Sequence, residues 1–359
     1  MEVINSRSPF FITIDAASQT ATKIELFIWH KGETEPVDAT YTLTKNAPSD
    51  TQRANIYNIA QFIKENLDII SPLNTTVIAE EVATNWCYCK AKLYATISDV
   101  DTFLDEYVFI GVNGYNDYLN GYNQTNNSNV FLLTDNIEKQ YHLTPTYKDN
   151  SYFNLLIQEK TPTETISIKY FDSTNTLISN SLYTTDEDYL LRVRYSINDT
   201  DFDNGTKVII TNDTTSTFLY KVTADPVCEP KYNPMIVSFI NRLGGWDFIT
   251  FFKAKSESYE TKSKDFNLLP DAVDYNPLRG QKQKFNFESK KSIKINSGWV
   301  AESFSILMEQ LFNSETILLD NVPVFLKSSN FQIKTHLKDK NINYELDFEY
   351  NFNQINNVQ

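Results

Sequence analysis

Pro234-Met235-Ile236-Val237-Ser238-Phe239-Ile240, Asn241-Arg242-Leu243-Gly244-Gly245-Trp246-Asp247 and Phe248-Ile249-Thr250-Phe251-Phe252 follow one another without a break. Two apolar runs of strand length flank a polar turn with paired glycines. Glycine is scarce, 9 in 359 residues, so two adjacent glycines mark a special backbone position. A chain this poor in glycine keeps it where φ must be positive or where backbones approach closely. The stretch predicts a β-hairpin in a β-rich domain. No catalytic constellation accompanies it, which steers the reading towards a structural or binding role.

The C-terminal segment, 231–359, continues in the same manner. Phe285 and Phe287, then Ile293 and Ile295, alternate with polar neighbours. Val300 to Phe312 predicts a helix, with Val300, Phe304, Leu307, Met308, Leu311 and Phe312 on one stripe. Strands are predicted over 316–319, 322–326, 331–336 and 344–352. In the last, Tyr344, Leu346, Phe348, Tyr350 and Phe352 share a face. This is an α+β domain, one helix on a mostly antiparallel sheet.

The middle segment, 136–230, has no helical pattern. Strand-length runs at 152–158, 165–171, 189–197, 206–212 and 216–223 are separated by turn residues, and Pro226 and Pro230 mark a boundary. Regular short strands of this kind predict an immunoglobulin-like or fibronectin-like β-sandwich. The N-terminal segment, 1–135, is a β-rich domain with one helix. Strands are expected over 10–14, 23–29, 86–97 and 106–112, and a helix over Arg53–Leu67 with a cap at Ser49, Asp50 or Thr51. The fold class is therefore mainly β and multidomain.

Composition narrows the function classes. With 41% hydrophobic and 14% aromatic residues the chain can bury sizeable cores, which excludes a disordered protein. The charge, 32 basic against 46 acidic residues or −14, repels phosphate backbones. No sequence-specific nucleic-acid partner is expected. An acidic surface serves solubility, and it also suits a wall that DNA slides past. Three cysteines argue against a disulfide framework. The N-terminus lacks the pattern of an export signal, and no apolar run is long enough to span a bilayer.

The candidate sites resolve mostly into bland readings. Cys87 and Cys89 share a strand face, far in sequence from His30, His142 and His336, and are expected to be small core residues. Asp199 to Gly205 resembles the opening of a calcium loop, but the glycine comes one place late and Ile210 stands where a carboxylate is needed. Glu80-Glu81 and Asp186-Glu187-Asp188 are expected to be solvated loop charge. No metal or cofactor is expected. More informative is the loop Gly114-Tyr115-Asn116-Asp117-Tyr118-Leu119-Asn120-Gly121-Tyr122-Asn123. Tyr115, Asn116, Tyr118, Asn120 and Tyr122 have the composition of a contact surface for proteins or sugars. The competing reading is a loop that its tyrosines pin to its own domain.

The Ser8-Pro9-Phe10 opening, this loop and the Asn241–Asp247 turn resemble virion tail proteins of phages that infect Bacteroidetes, among them flavobacterial and crAss-like phages. The spacing from the turn to Ser297-Gly298-Trp299 and the following helix adds to the likeness. These are packing and turn motifs, so no catalytic residue is carried over. The resemblance implies a non-enzymatic building block of the tail, hub or baseplate region, located in the virion and assembled in the host cytoplasm. Its expected partners are other copies of itself in a symmetric ring and other tail or neck proteins. A second reading is a receptor-binding or carbohydrate-binding module. A third, a depolymerase, lacks converging acid, base or nucleophile residues.

Overall fold

A computed structural model describes residues 1–47, 49, 53–70, 78–80, 83–126, 128–142, 152–194, 206–227, 231–269, 276, 278, 280–302, 304–328 and 341–354. The chain is mainly β, built of several largely antiparallel sheets, with two short α-helices among the described residues. It divides into two compact units. The first comprises Met1–Cys228, Phe239–Ile249 and Asn313–Glu315; the second comprises Glu229–Ser238, Thr250–Phe312 and Thr316–Gln359.

The first unit is layered. A six-stranded sheet runs in the order Tyr41–Asn46, Ala21–Trp29, Trp86–Ile97, Val100–Val112, Glu2–Asn5, Thr125–Asn126. Alternation along Trp86–Ile97 sends Cys87, Cys89, Ala91 and Leu93 to one face. There they join Ile24, Leu26 and Ile28 in a core closed by Phe10, Ile12, Ile14, Tyr57, Ile59 and Ile63. Burial pushes the Cys87 thiol up to about 12, as for an inert core residue. Trp86 points to the opposite face and is buried too, with Val3, Ile110 and Val112.

That opposite face meets a second sheet, ordered Val130–Leu132, Tyr152–Ile157, Tyr189–Arg194, Ile78–Glu80. Its Leu156 and Leu190 pack with Trp86, while Phe153, Leu155, Ile157, Leu191 and Val193 face the other way. A five-stranded sheet covers them, ordered Glu138–His142, Thr217–Val227, Thr206–Asn212, Thr165–Phe171, Leu177–Thr184. Ile166, Ile168, Val208, Ile210 and Val222 come from its inner face. These two sheets pack as a β-sandwich, to which the N-terminal segment also contributes strands Ile78–Glu80 and Val130–Leu132. Its four-stranded half is buried on both faces, and so Tyr152–Ile157 has no exposed position. Ile78–Glu80, from the N-terminal segment, supplies the edge strand beside Leu191–Val193.

The helix expected over Arg53–Leu67 is corrected. Asn55–Asn58 is a strand antiparallel to Phe11–Ile14, and the helix is only Ala60–Glu65. Period two wins because Asn55 and Tyr57 are buried on Thr22 while Ile56 is exposed. The Asn55 amide and the Tyr57 hydroxyl bond Thr22 Oγ1 at 2.9 and 2.7 Å. No side-chain oxygen of the expected cap closes the helix start, where Ile59 stands. Asp50 and Thr51 lie outside the described residues.

In the second unit, strands Ile317–Leu319, Val322–Leu326, Asn341–Tyr350, Lys282–Ala301 and Ser256–Asn267 lie side by side in that order. Trp246–Phe251 is the hairpin partner of Met235–Ile240, as the opening stretch predicts. The last strand ends at Tyr350, with Phe352 exposed beyond it, and its alternation holds for Tyr344, Leu346 and Phe348, which are buried. Against them lies the helix Phe304–Phe312, with Phe304 stacked on Tyr344 at 6.4 Å. It starts four residues later than the stripe implies. Val300 and Ala301 instead end the 20-residue strand, paired with Ile342 and Asn341. The run 331–336 and the calcium-like loop 199–205 lie outside the described residues.

One buried carboxyl in the first unit gives a pH test. Asp188 is buried and accepts the Glu159 N–H at 2.7 Å. Burial holds its carboxyl above the ordinary value near 3.8, against the opposing hydrogen bond. A raised folded-state value stabilises fully below the unfolded value, and that stability is lost as pH rises through the folded value. Asp188→Asn keeps the acceptor and removes the charge. Urea midpoints are expected to favour the variant increasingly from pH 3.5 to pH 7; a difference independent of pH would remove the buried charge from Asp188.

Candidate functional site

The Gly114–Asn123 loop leaves the six-stranded sheet directly after Val112, and the double-glycine turn fixes its base. Asn241 organises the turn. Its amide nitrogen donates to Leu133 O (2.8 Å) and Asp247 Oδ2 (2.9 Å). Its amide oxygen accepts the backbone N–H of Leu243 (3.0 Å) and Gly245 (3.1 Å). Asp247 also accepts the Thr134 hydroxyl (2.6 Å) and forms an ion pair with Lys139. Neither member of that pair has any solvent exposure. Lys139 additionally lies 4.8 Å from the centre of the Phe248 ring. Burial pushes the Lys139 ammonium down from its ordinary value, and Asp247 opposes the shift.

Backbone contact explains the glycines. A Cβ on Gly245 would run into Leu133 O, and one on Gly244, at φ +82°, would lie 2.9 Å from Val112 Cβ. A Cβ on Gly114 would lie 2.7 Å from Arg242 O. The same Arg242 oxygen accepts the Tyr115 N–H at 2.7 Å. Its guanidinium pairs with Asp135 at 2.5 Å, which raises its already high pKa. Turn and loop are thus joined through main-chain atoms, at separations only glycine permits.

The rest of the base is pinned by the N-terminal stretch. Ser8 Oγ accepts the Asn116 N–H (2.7 Å), and Asn5 Nδ2 donates to Asn116 Oδ1 (2.8 Å). Arg7 lies over the Tyr115 ring at 4.9 Å. At the far end, Asn123 bonds both backbone groups of Phe11, accepting at 2.6 Å and donating at 2.7 Å. This side chain imitates a neighbouring strand. The three stretches that carry the family resemblance converge on this loop, since Ser8 and Arg242 hold its first residues.

The five residues expected to form a contact surface therefore divide. Tyr115 and Asn116 are half-buried anchors. Tyr118 is 96% exposed, Asn120 is exposed, and Tyr122 is 64% exposed with its ring edge-on to Phe11 at 5.5 Å. Leu119, 95% exposed beside Tyr118, completes an apolar tip that tyrosine spacing alone did not single out. Gly121, at φ +78°, and Asn123, at φ 54°, close the loop.

The acidic clusters, expected as solvated loop charge, are corrected in part: Glu80 ends a strand, Asp188 is buried, and one residue of each cluster reaches Lys31. Lys31 takes Glu80 at 3.2 Å and Glu187 at 3.8 Å, Asp186 binds the Thr184 hydroxyl, and Asp188 is the buried acceptor described above. His30 contacts Trp86 O at 2.8 Å. Among the described residues no three His, Cys, Asp or Glu side chains surround a common point. Glu81 and His336 lie outside them.

Two further exposed features escaped the sequence reading. From Tyr259 and Lys291 outward, Ser256–Asn267 and Lys282–Ala301 pair with each other as a ribbon. Tyr259, Phe266, Phe285 and Phe287 are exposed on it. The ribbon reaches roughly 30 Å at the usual strand rise. Separately, Trp299 is 71% exposed in a cleft of about 500 Å³ with Lys253, Lys255, Asn296, Asn343 and Glu345.

The buried pair predicts an asymmetry. Asp247→Ala strands the Lys139 ammonium and is expected to cost about 3–5 kcal/mol. Lys139→Met is expected to cost less, because Thr134 and Asn241 still serve the carboxylate. Urea denaturation of both variants checks the order, and the reverse order would mean that the turn is not held by this carboxylate. No family model matches the chain, and no curated protein matches it either.

Proposed function

We propose that this chain is a non-enzymatic structural protein of a phage virion, in the tail, tail hub or baseplate region. It assembles into a symmetric ring and contacts other tail proteins. The observation that carries the reading is the two-stranded ribbon. A two-stranded ribbon of this kind is marginal in water, and this one exposes four aromatic rings. Such an element gains stability by pairing with a neighbour, and natural sheets otherwise cover or blunt their edges. The apolar tip at Tyr118 and Leu119, set on a base with many hydrogen bonds, gives a second rigid contact for a different partner. A net charge of −14 suits a passage through which DNA moves without sticking.

A carbohydrate-binding role is the second reading, favoured by the cleft around Trp299. An exposed indole offers a face to a sugar ring, and the amides of Asn296 and Asn343 offer partners to hydroxyls.

Electron microscopy and light scattering of the purified chain test the first reading. Closed rings are expected, as is the chain's presence in purified particles. A glycan array tests the second: signal lost in Trp299→Ala would favour it. Tyr118→Ala with Leu119→Ala is expected to leave stability within about 0.5 kcal/mol while weakening capture of a tail partner. A drop in stability comparable to a core substitution would remove these residues from the contact role.

A further inference from the structure

Val100–Val112 is a strand with one free edge. Trp86–Ile97 pairs with its whole length on one side, while Glu2–Asn5 pairs only with Phe109–Val112 on the other. Among the described residues nothing pairs with the second edge of 100–108. Val100, Phe103, Leu104 and Tyr107 are exposed on this stretch, and it carries the carboxylates Asp101, Asp105 and Glu106 and no basic residue. Asp101 is engaged by Lys23 at 2.8 Å, which leaves Asp105 and Glu106 as the exposed acidic pair. Where Glu2 begins, the edge runs into a cleft of about 560 Å³ bordered by Met1, Phe11, Tyr107 and Val108.

The ribbon of the second unit has the complementary character. Ser256–Asn267 ends its sheet, and among the described residues no strand pairs with its outer edge. The outer half of the ribbon carries Lys262, Lys264, Lys282 and Lys284, all exposed, against the single acid Asp265 on 262–267 and 282–287. Phe266 and Phe285 meet edge-on at 5.5 Å among them, both exposed. The edge 100–108 is acidic and aromatic, and the outer half of the ribbon is basic and aromatic; nearer the sheet, Glu257 and Glu260 of the same strand are engaged by Lys291 at 2.9 Å and Lys262 at 3.6 Å.

We infer that the outer half of the ribbon of one copy, through residues 262–267, adds as a strand to the open edge Val100–Val108 of a second copy, with Phe266 entering the cleft beside Tyr107. Backbone hydrogen bonds would supply the pairing, and the opposed charges would set its direction. The two surfaces differ, so the contact is head-to-tail. Repetition of such a contact closes a ring when its rotation divides the circle. This inference rests on the ring assembly proposed above and names the surfaces that make it.

The test uses the full chain with two variants. Asp105→Lys with Glu106→Lys spoils the edge; Lys264→Glu with Lys282→Glu spoils the ribbon. All four positions are exposed, and thermal melts should match the unsubstituted chain. In mass photometry each variant alone is expected to associate at least 100-fold more weakly. An equimolar mixture should assemble again with the two variants alternating, because the sound ribbon meets the sound edge and the reversed ribbon meets the reversed edge. The chain with all four substitutions should regain rings. Rings from either double variant alone would overturn this contact and leave ring assembly standing. An unsubstituted chain that stays monomeric at hundreds of micromolar would overturn both.

Discussion

A carboxylate without water holds the first unit together. Asp247 meets an ammonium, a hydroxyl and an amide in a place that solvent does not reach. Taking Lys139 and Asp247 out of water is costly, and their attraction offsets that cost only when geometry is good and the remaining lone pairs are filled. Thr134 and Asn241 fill them. The network therefore has little tolerance for displacement, and it fixes the turn against residues more than a hundred positions earlier. The glycines serve the same end. Gly244, Gly245 and Gly114 allow main chains to approach where a methyl group would force them apart.

From this anchor outward, rigidity passes to the contact loop. Arg242 O holds Tyr115, Ser8 and Asn5 hold Asn116, and Asn123 holds Phe11. The tip, Tyr118–Leu119, is exposed and has no such ties, but its two ends are fixed. A surface of this type binds without first losing the freedom of a loose segment. The ribbon of the second unit differs: its two strands pair with each other, so a partner would meet an already formed strand at its outer edge.

Much of the fold was legible because period two is a strong signal in strands with one wet face. Ile24, Leu26 and Ile28, Cys87 to Leu93, and Tyr344 to Phe348 lie as their alternation implies. Hydrophobic stripes were less reliable where two periods overlap. Ile56, Ile59 and Ile63 fit a helix, yet Tyr57 and Asn55 decide for a strand because their polar groups find Thr22. Val300 fell into a helical stripe by spacing alone, while its backbone continues the strand beside Ile342. The strand Leu177–Thr184 was missed because an exposed edge strand shows no apolar alternation. Of the site, the loop and its tyrosines were visible in composition. The division into anchors and tip was not, because the anchors are set by Ser8 and Arg242, distant in sequence. Lys139 gave no signal, since a lysine reads as solvent-facing unless its counter-ion is known.

The chain order of the buried ion pair has a consequence for biosynthesis. Lys139 leaves the ribosome 108 residues before Asp247, and Asn154 waits 92 residues for the Trp246 N–H that it accepts at 2.9 Å. Until that later stretch arrives, the nascent sandwich has a lysine with no counter-ion and an open flank at Leu133. Contacts so distant in sequence close slowly. The native core of the first unit is thus completed only after the emerging polypeptide has passed its two-hundred-and-forties, and a chain released before that point lacks the acid that neutralises its own interior.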